Sequence, residues 1–163
     1  MVFQSANRLG RQCDNLSWNH EQNDRSKLFP RGSGTAQKAC ILIIDNDRDF
    51  THSAKRALEM TGRYFVSEEN DASKAHQTAQ KLKPDLILLD IARPEKDAGE
   101  VAARIQSDPA LHGIPIVLLT ALVTKAEGRP GLRIQGHPFL ARPISLPELI
   151  EGIEEHLPER ATL

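Results

Sequence analysis

Three uninterrupted apolar runs, each stopped by an acid or a hydroxyl, constrain this chain more than any other feature. Cys40-Ile41-Leu42-Ile43-Ile44 stops at Asp45-Asn46-Asp47, Leu86-Ile87-Leu88-Leu89 stops at Asp90, and Ile114 to Leu119 stops at Thr120. A run without polar alternation predicts a strand covered on both faces, as in a parallel sheet. Shorter strands are expected at Tyr64–Ser67 and at Phe139-Leu140-Ala141, the latter running into Arg142-Pro143.

Helical spacing fills the gaps between these strands. Phe50, Ala54, Ala57 and Leu58 recur on one face, and Gly62 is placed to end that helix. Asn70 or Asp71 caps a second helix carrying Ala72, Ala75, Ala79 and Leu82, which Pro84 stops. Asp97-Ala98-Gly99-Glu100 and Ser145-Leu146-Pro147-Glu148 both have the form of a capping box. The first opens a helix with Val101, Ala102 and Ile105 inward, the second one with Leu149, Ile150, Ile153 and Leu157 inward. The helix expected between the fourth and fifth strands is short or partly irregular, because Gly128, Pro130, Gly131 and Gly136 interrupt it.

Strands and helices thus alternate five times, which predicts a doubly wound α/β fold with helices on both faces of a five-stranded parallel sheet. Residues 1–38 are polar and aperiodic, so they read as a disordered extension, with Trp18 as the one candidate docking side chain. Residues 39–158 form the domain and 159–163 a short tail. No second domain and no output domain are expected.

Composition excludes several classes. Net charge is −1, from 21 basic and 22 acidic residues, so the basic excess that holds nucleic acid is missing. No apolar run approaches the roughly 20 residues that cross a bilayer, and the amino-terminal segment lacks the apolar core of a secretory signal. A cytoplasmic protein is expected. Six histidines lie scattered without metal-ligand spacing, and two cysteines make neither a disulfide framework nor a zinc site. Cys40 reads as a small buried apolar residue.

In an open parallel sheet the working site lies beyond the carboxyl ends of the strands. Those ends carry Asp45-Asn46, Asp90, Thr120 and Arg142. Gathered carboxylates repel one another, so a cation is required close by, and a hard divalent ion such as Mg²⁺ suits oxygen ligands. Asp47 is instead the natural cap of the first helix.

These residues, in this order, resemble the CheY-like receiver domain of two-component response regulators. The separations match as well: 45 residues from Asp45 to Asp90, 30 more to Thr120 and 22 more to Arg142. The stretches "EENDASKA", "LTALVTK" and "GHPFLARPISLPELIEGIEEHL" look like a subgroup consisting of the receiver alone. The resemblance implies strand order 2-1-3-4-5. It further implies that Asp90 accepts a phosphoryl group from a histidine kinase or phosphotransfer protein. Asp45, Asn46, Asp90 and the backbone carbonyl of Ala92 would hold Mg²⁺. Thr120 and Arg142 would contact phosphoryl oxygens, Thr120 and Phe139 would form the switch, and the Arg142-Pro143 bond would be cis. Such a phosphoprotein is no enzyme in the ordinary sense, beyond catalysing its own phosphorylation and dephosphorylation, and it signals by docking to a protein target.

The pattern departs from the family where Asn46 stands in place of a metal-ligating acid, Arg142 in place of Lys, and Ala98 in place of Gly. Loss of one negative charge at position 46 predicts weak Mg²⁺ binding, and a planar guanidinium does not replace a compact ammonium. The alternative reading is a receiver-like interaction module that works without phosphate. A flavodoxin-like nucleotide binder is disfavoured, since no Gly-rich loop follows the first strand. Kinase, target and oligomeric state are not legible.

Overall fold

Continuous apolar runs fold as central strands here because helices cover the sheet on both sides. The computed structural model describes residues 37–91, 97–121 and 133–159. Its strands are β1 (Ala39–Ile44), β2 (Tyr64–Glu69), β3 (Leu86–Ile91), β4 (Ile116–Thr120) and β5 (Phe139–Ala141), all parallel, in the order β2-β1-β3-β4-β5. The helices are α1 (Arg48–Met60), α2 (Ala75–Leu82), which follows a 3₁₀ turn at Ala72–Lys74, α3 (Asp97–Ser107) and α4 (Leu146–His156). This is the doubly wound α/β fold expected from the sequence.

Period-two alternation divides each strand between two cores. Leu42, Ile44, Ile87, Leu89 and Leu118 meet Ala79 and Leu82 of α2 and Val101 and Ile105 of α3. Ile41, Ile43, Leu86, Leu88, Val117 and Leu119 meet Ala54 and Leu58 of α1 and Leu149 and Ile153 of α4. The faces are therefore distinct, with α1 and α4 on one side and α2 and α3 on the other. Gly152 lets α4 lie close on β5, since a Cβ there would stand 2.6 Å from Leu140 Cδ1. The Tyr64 hydroxyl, whose pKa burial and a hydrogen bond to Glu154 push up to about 12, ties β2 to α4.

The caps follow the chemistry of their side chains. Asp47 accepts from the backbone N–H groups of Asp49 and Phe50, Asp71 caps the 3₁₀ turn, and Ser145 and Glu148 close a reciprocal capping box. Gly62, at φ 76°, follows the end of α1, and Lys83, at φ 46°, ends α2 just before Pro84.

Boundaries differ from expectation in four places. α3 starts at Asp97 itself rather than after it. β4 starts at Ile116 rather than Ile114, because the Ile114 N–H turns back to the Leu111 carbonyl. β3 runs on through Asp90 and Ile91. Residues 133–137, at the end of the expected irregular helix, form a tight turn instead. Ile134 and His137 pair through two 2.9 Å backbone bonds, with Gln135 and Gly136 both at positive φ.

Cys40 is buried as expected. Most of the proposed extension, Ala92 and residues 122–132 lie outside the described residues.

Candidate functional site

Asp45, Asp90 and Arg142 come together at the carboxyl edge of the sheet. Asp45 follows Ile41 and Ile43 in β1, Asp90 follows Leu86 and Leu88 in β3, and Arg142 follows Leu140 in β5. The same alternation that buries those residues against α1 and α4 carries the three polar side chains to that side.

One guanidinium nitrogen joins them. Nη1 of Arg142 donates to Oδ2 of Asp45 at 3.1 Å and to Oδ1 of Asp90 at 3.0 Å. The side chains of Asp45 and Asp90 are 0% and 7% exposed, and that of Arg142 is 20% exposed, so water screens this triad poorly. Asp45 is fixed further, since its Oδ1 accepts from the Asp47 N–H at 2.8 Å. Asn70 donates to the Asp45 carbonyl at 2.7 Å and to Thr51 at 3.0 Å, which pins the end of β1 to α1. Among the described residues, Oδ2 of Asp90 accepts no hydrogen bond.

Burial pushes the Asp90 carboxyl above the ordinary aspartate range, and the neighbouring Asp45 charge adds to this against the opposing pull of Arg142. Burial likewise raises Asp45, while the Asp47 N–H and Arg142 pull it down. Desolvation wins in both cases. Acids raised by burial and by a like charge recur at functional sites.

The remaining expected residues have definite places. Thr120 ends β4 fully buried, beside Ile91 on one strand and Ala141 on the other, and its carbonyl accepts from the Arg142 N–H at 2.7 Å. Phe139 is half-buried on the opposite face of the sheet, packed with the α2–α3 core. Asn46 is exposed. The Arg142-Pro143 bond is cis, as expected.

Sequence reading missed Phe50 at the site. It stood out only as the first apolar position of α1, yet the Arg142 guanidinium lies 3.9 Å from its ring centroid. The available signal was its place in the first turn of a helix that starts just after the β1 acid.

Two carboxylates sharing one cation form a donor set of hard oxygens that suits a divalent ion. No cluster of three or more His, Cys, Asp or Glu exists among the described residues. The cation that the acid pair demanded from the sequence is already present as Arg142.

Known proteins agree with this architecture. Residues 41–154 match the response regulator receiver domain. The chain belongs to that family. This receiver is 34% identical over 114 residues to the phosphate regulon transcriptional regulatory protein PhoB of Pseudomonas aeruginosa, covering 70% of this chain and 49% of PhoB. It is also 34% identical over 113 residues to the DNA-binding dual master transcriptional regulator RpaA of Synechocystis, covering 69% and 46%. The receiver therefore spans about half the length of the curated relatives it matches. The fold is that of the chemotaxis protein CheY4 of Vibrio cholerae, with a TM-score of 0.63 at 21% identity over 74% of this chain and all of CheY4. Receiver domains generally bind Mg²⁺ at the acidic site. Among the described residues, no helix is long and apolar enough to cross a membrane.

Proposed function

We propose that this receiver accepts a phosphoryl group on Asp90 from a histidine kinase or phosphotransfer protein and signals by docking to a protein target. The observation that carries the reading is the Asp45–Asp90–Arg142 triad at the carboxyl edge of the sheet. Oδ2 of Asp90 is the oxygen left to attack phosphorus, forming an acyl phosphate as the bond from phosphorus to the donor nitrogen breaks. An anionic nucleophile meeting an anionic phosphoryl group needs positive charge between them, because phosphoryl transfer relies on positioning and electrostatics. Arg142 supplies one such charge, and Thr120, whose carbonyl accepts from the Arg142 N–H, would turn its hydroxyl to a phosphoryl oxygen.

Asp45 and Asp90 would hold Mg²⁺, together with the neutral oxygens of Asn46 and of the Ala92 backbone. Bound there, Mg²⁺ would neutralise charge on the transferring group. Phe139 would follow Thr120 as part of the switch. With its small net charge, this segment meets proteins rather than nucleic acid, and it works in the cytoplasm.

Incubation of the full chain with acetyl phosphate and Mg²⁺, followed by intact mass, tests the proposal. One added phosphoryl mass is expected, and Asp90→Asn should remove it. An unchanged mass after prolonged exposure would favour the module that works without phosphate.

A further inference from the structure

The acid pocket has a cation of its own, and that cation is held from behind. Oδ1 of Asp45 is committed to the Asp47 N–H, which leaves Oδ2 as its free coordinating oxygen, and Arg142 occupies that oxygen. The same Nη1 occupies Oδ1 of Asp90. A divalent ion on those two oxygens would need the space where Nη1 lies, since Mg²⁺ sits roughly 2.0–2.1 Å from its ligands. The guanidinium and the metal therefore exclude one another. Arg142 cannot leave by sliding β5, because its N–H is anchored to the Thr120 carbonyl at 2.7 Å. It must leave by rotating its side chain, and the ring of Phe50, 3.9 Å away, opposes that rotation.

We infer that Arg142, stacked on Phe50, is a built-in cation latch that competes with a divalent metal for the carboxylates of Asp45 and Asp90. Phe50 is a positioning residue, acting through Arg142 without touching the metal or the phosphoryl group. The charge count fits this role. One guanidinium is shared by the two carboxylates and Asn46 adds no further charge, so the closed pocket is less negative than an aspartate at position 46 would leave it. Metal entry swings Arg142 outward, which frees its donors for an incoming phosphoryl oxygen. This inference rests on the acceptor reading of the site.

The test follows the Arg142 side-chain Nε–Hε signal by nitrogen-resolved NMR in the full chain, assigned by its loss in Arg142→Lys, alongside calorimetric titration with Mg²⁺. In the metal-free chain the signal should be displaced by the Phe50 ring current, and saturating Mg²⁺ should move it to the range of exposed arginines. Phe50→Leu, which keeps an apolar side chain on α1, should abolish the displacement and tighten Mg²⁺ binding roughly two- to fivefold. A metal-free signal already among the exposed arginines overturns the latch. So does Mg²⁺ binding that requires Asp90 yet leaves the signal in place, or an equal affinity in Phe50→Leu. No Mg²⁺ binding in either chain overturns the competition, whereas the acceptor reading fails separately, on the absence of phosphoryl mass at Asp90.

Discussion

Asp90 at the carboxyl edge of the sheet and Asp108 just beyond α3 are both carboxylates beside a basic side chain, Arg142 and His76 respectively. Asp108 accepts from the Ala110 N–H at 2.9 Å, from Gln80 at 2.8 Å and meets His76 Nε2 at 2.9 Å. The Ala110 N–H leads in holding its carboxyl below the ordinary range, followed by Gln80, with His76 a smaller contribution. At Asp90 the balance reverses, because burial and the Asp45 charge outweigh the one guanidinium. The difference separates two uses of an acid. Around Asp108 the donors satisfy the charge and join α2 to the end of α3. Around Asp90, among the described residues, one guanidinium is shared between two buried carboxylates, and acids perturbed in this way recur at functional sites.

Phosphoryl acceptance should separate the two regions most sharply. Asp45→Asn removes a metal-ligating charge and should slow labelling by acetyl phosphate about tenfold or more, whereas Asp108→Ala should stay within about twofold of the parent. Intact mass over time reads both. Equal losses would place the two acids in one class and break the comparison.

A smaller effect is expected from restoring a charge at the edge. Asn46→Asp adds a hard anionic oxygen and should tighten Mg²⁺ roughly tenfold by calorimetric titration. Equal affinity would put residue 46 outside the metal shell.

The pH dependence of stability should differ in sign between the regions. Asp90 has a folded pKa above its ordinary 3.8, so the folded chain keeps its proton longer than the unfolded one. Its favourable contribution is present below 3.8 and is lost as pH rises through the raised value. Asp108, lowered from 3.8, contributes stability above that value and loses it as pH falls through the folded one. Urea midpoints should therefore show Asp90→Asn gaining on the parent as pH rises from acid towards neutral. The deficit of Asp108→Ala should shrink as pH falls. Parallel curves would contradict the assignment of either acid.

Much of the fold was legible because the central strands are apolar without alternation, which only a sheet covered on both faces accommodates. Caps were legible too, as at Asp47, Asp71 and Ser145, since their side chains act on N–H groups two or three residues away. The positions of Asp45, Asp90, Thr120 and Arg142 at strand ends followed from the same runs. What they do to one another did not. Arg142 reaches Asp45 across 97 residues and Asp90 across 52, and no local pattern encodes that a single nitrogen bridges both. The Phe50 stack was hidden because an aromatic on the inward stripe of a helix is usually core. The Gln135-Gly136 turn escaped because glycines mark where a helix fails, without stating what replaces it.

Thermal unfolding of Asp90→Asn and Asp108→Ala beside the parent chain at neutral pH tests the central contrast most directly. Replacing a charge held against burial by its neutral isostere should raise the midpoint by a few degrees, whereas removing the Asp108 carboxylate from its three partners should lower it. If Asp90→Asn also lowers the midpoint, Arg142 fully compensates the edge carboxylates, and Asp90 is as structural as Asp108.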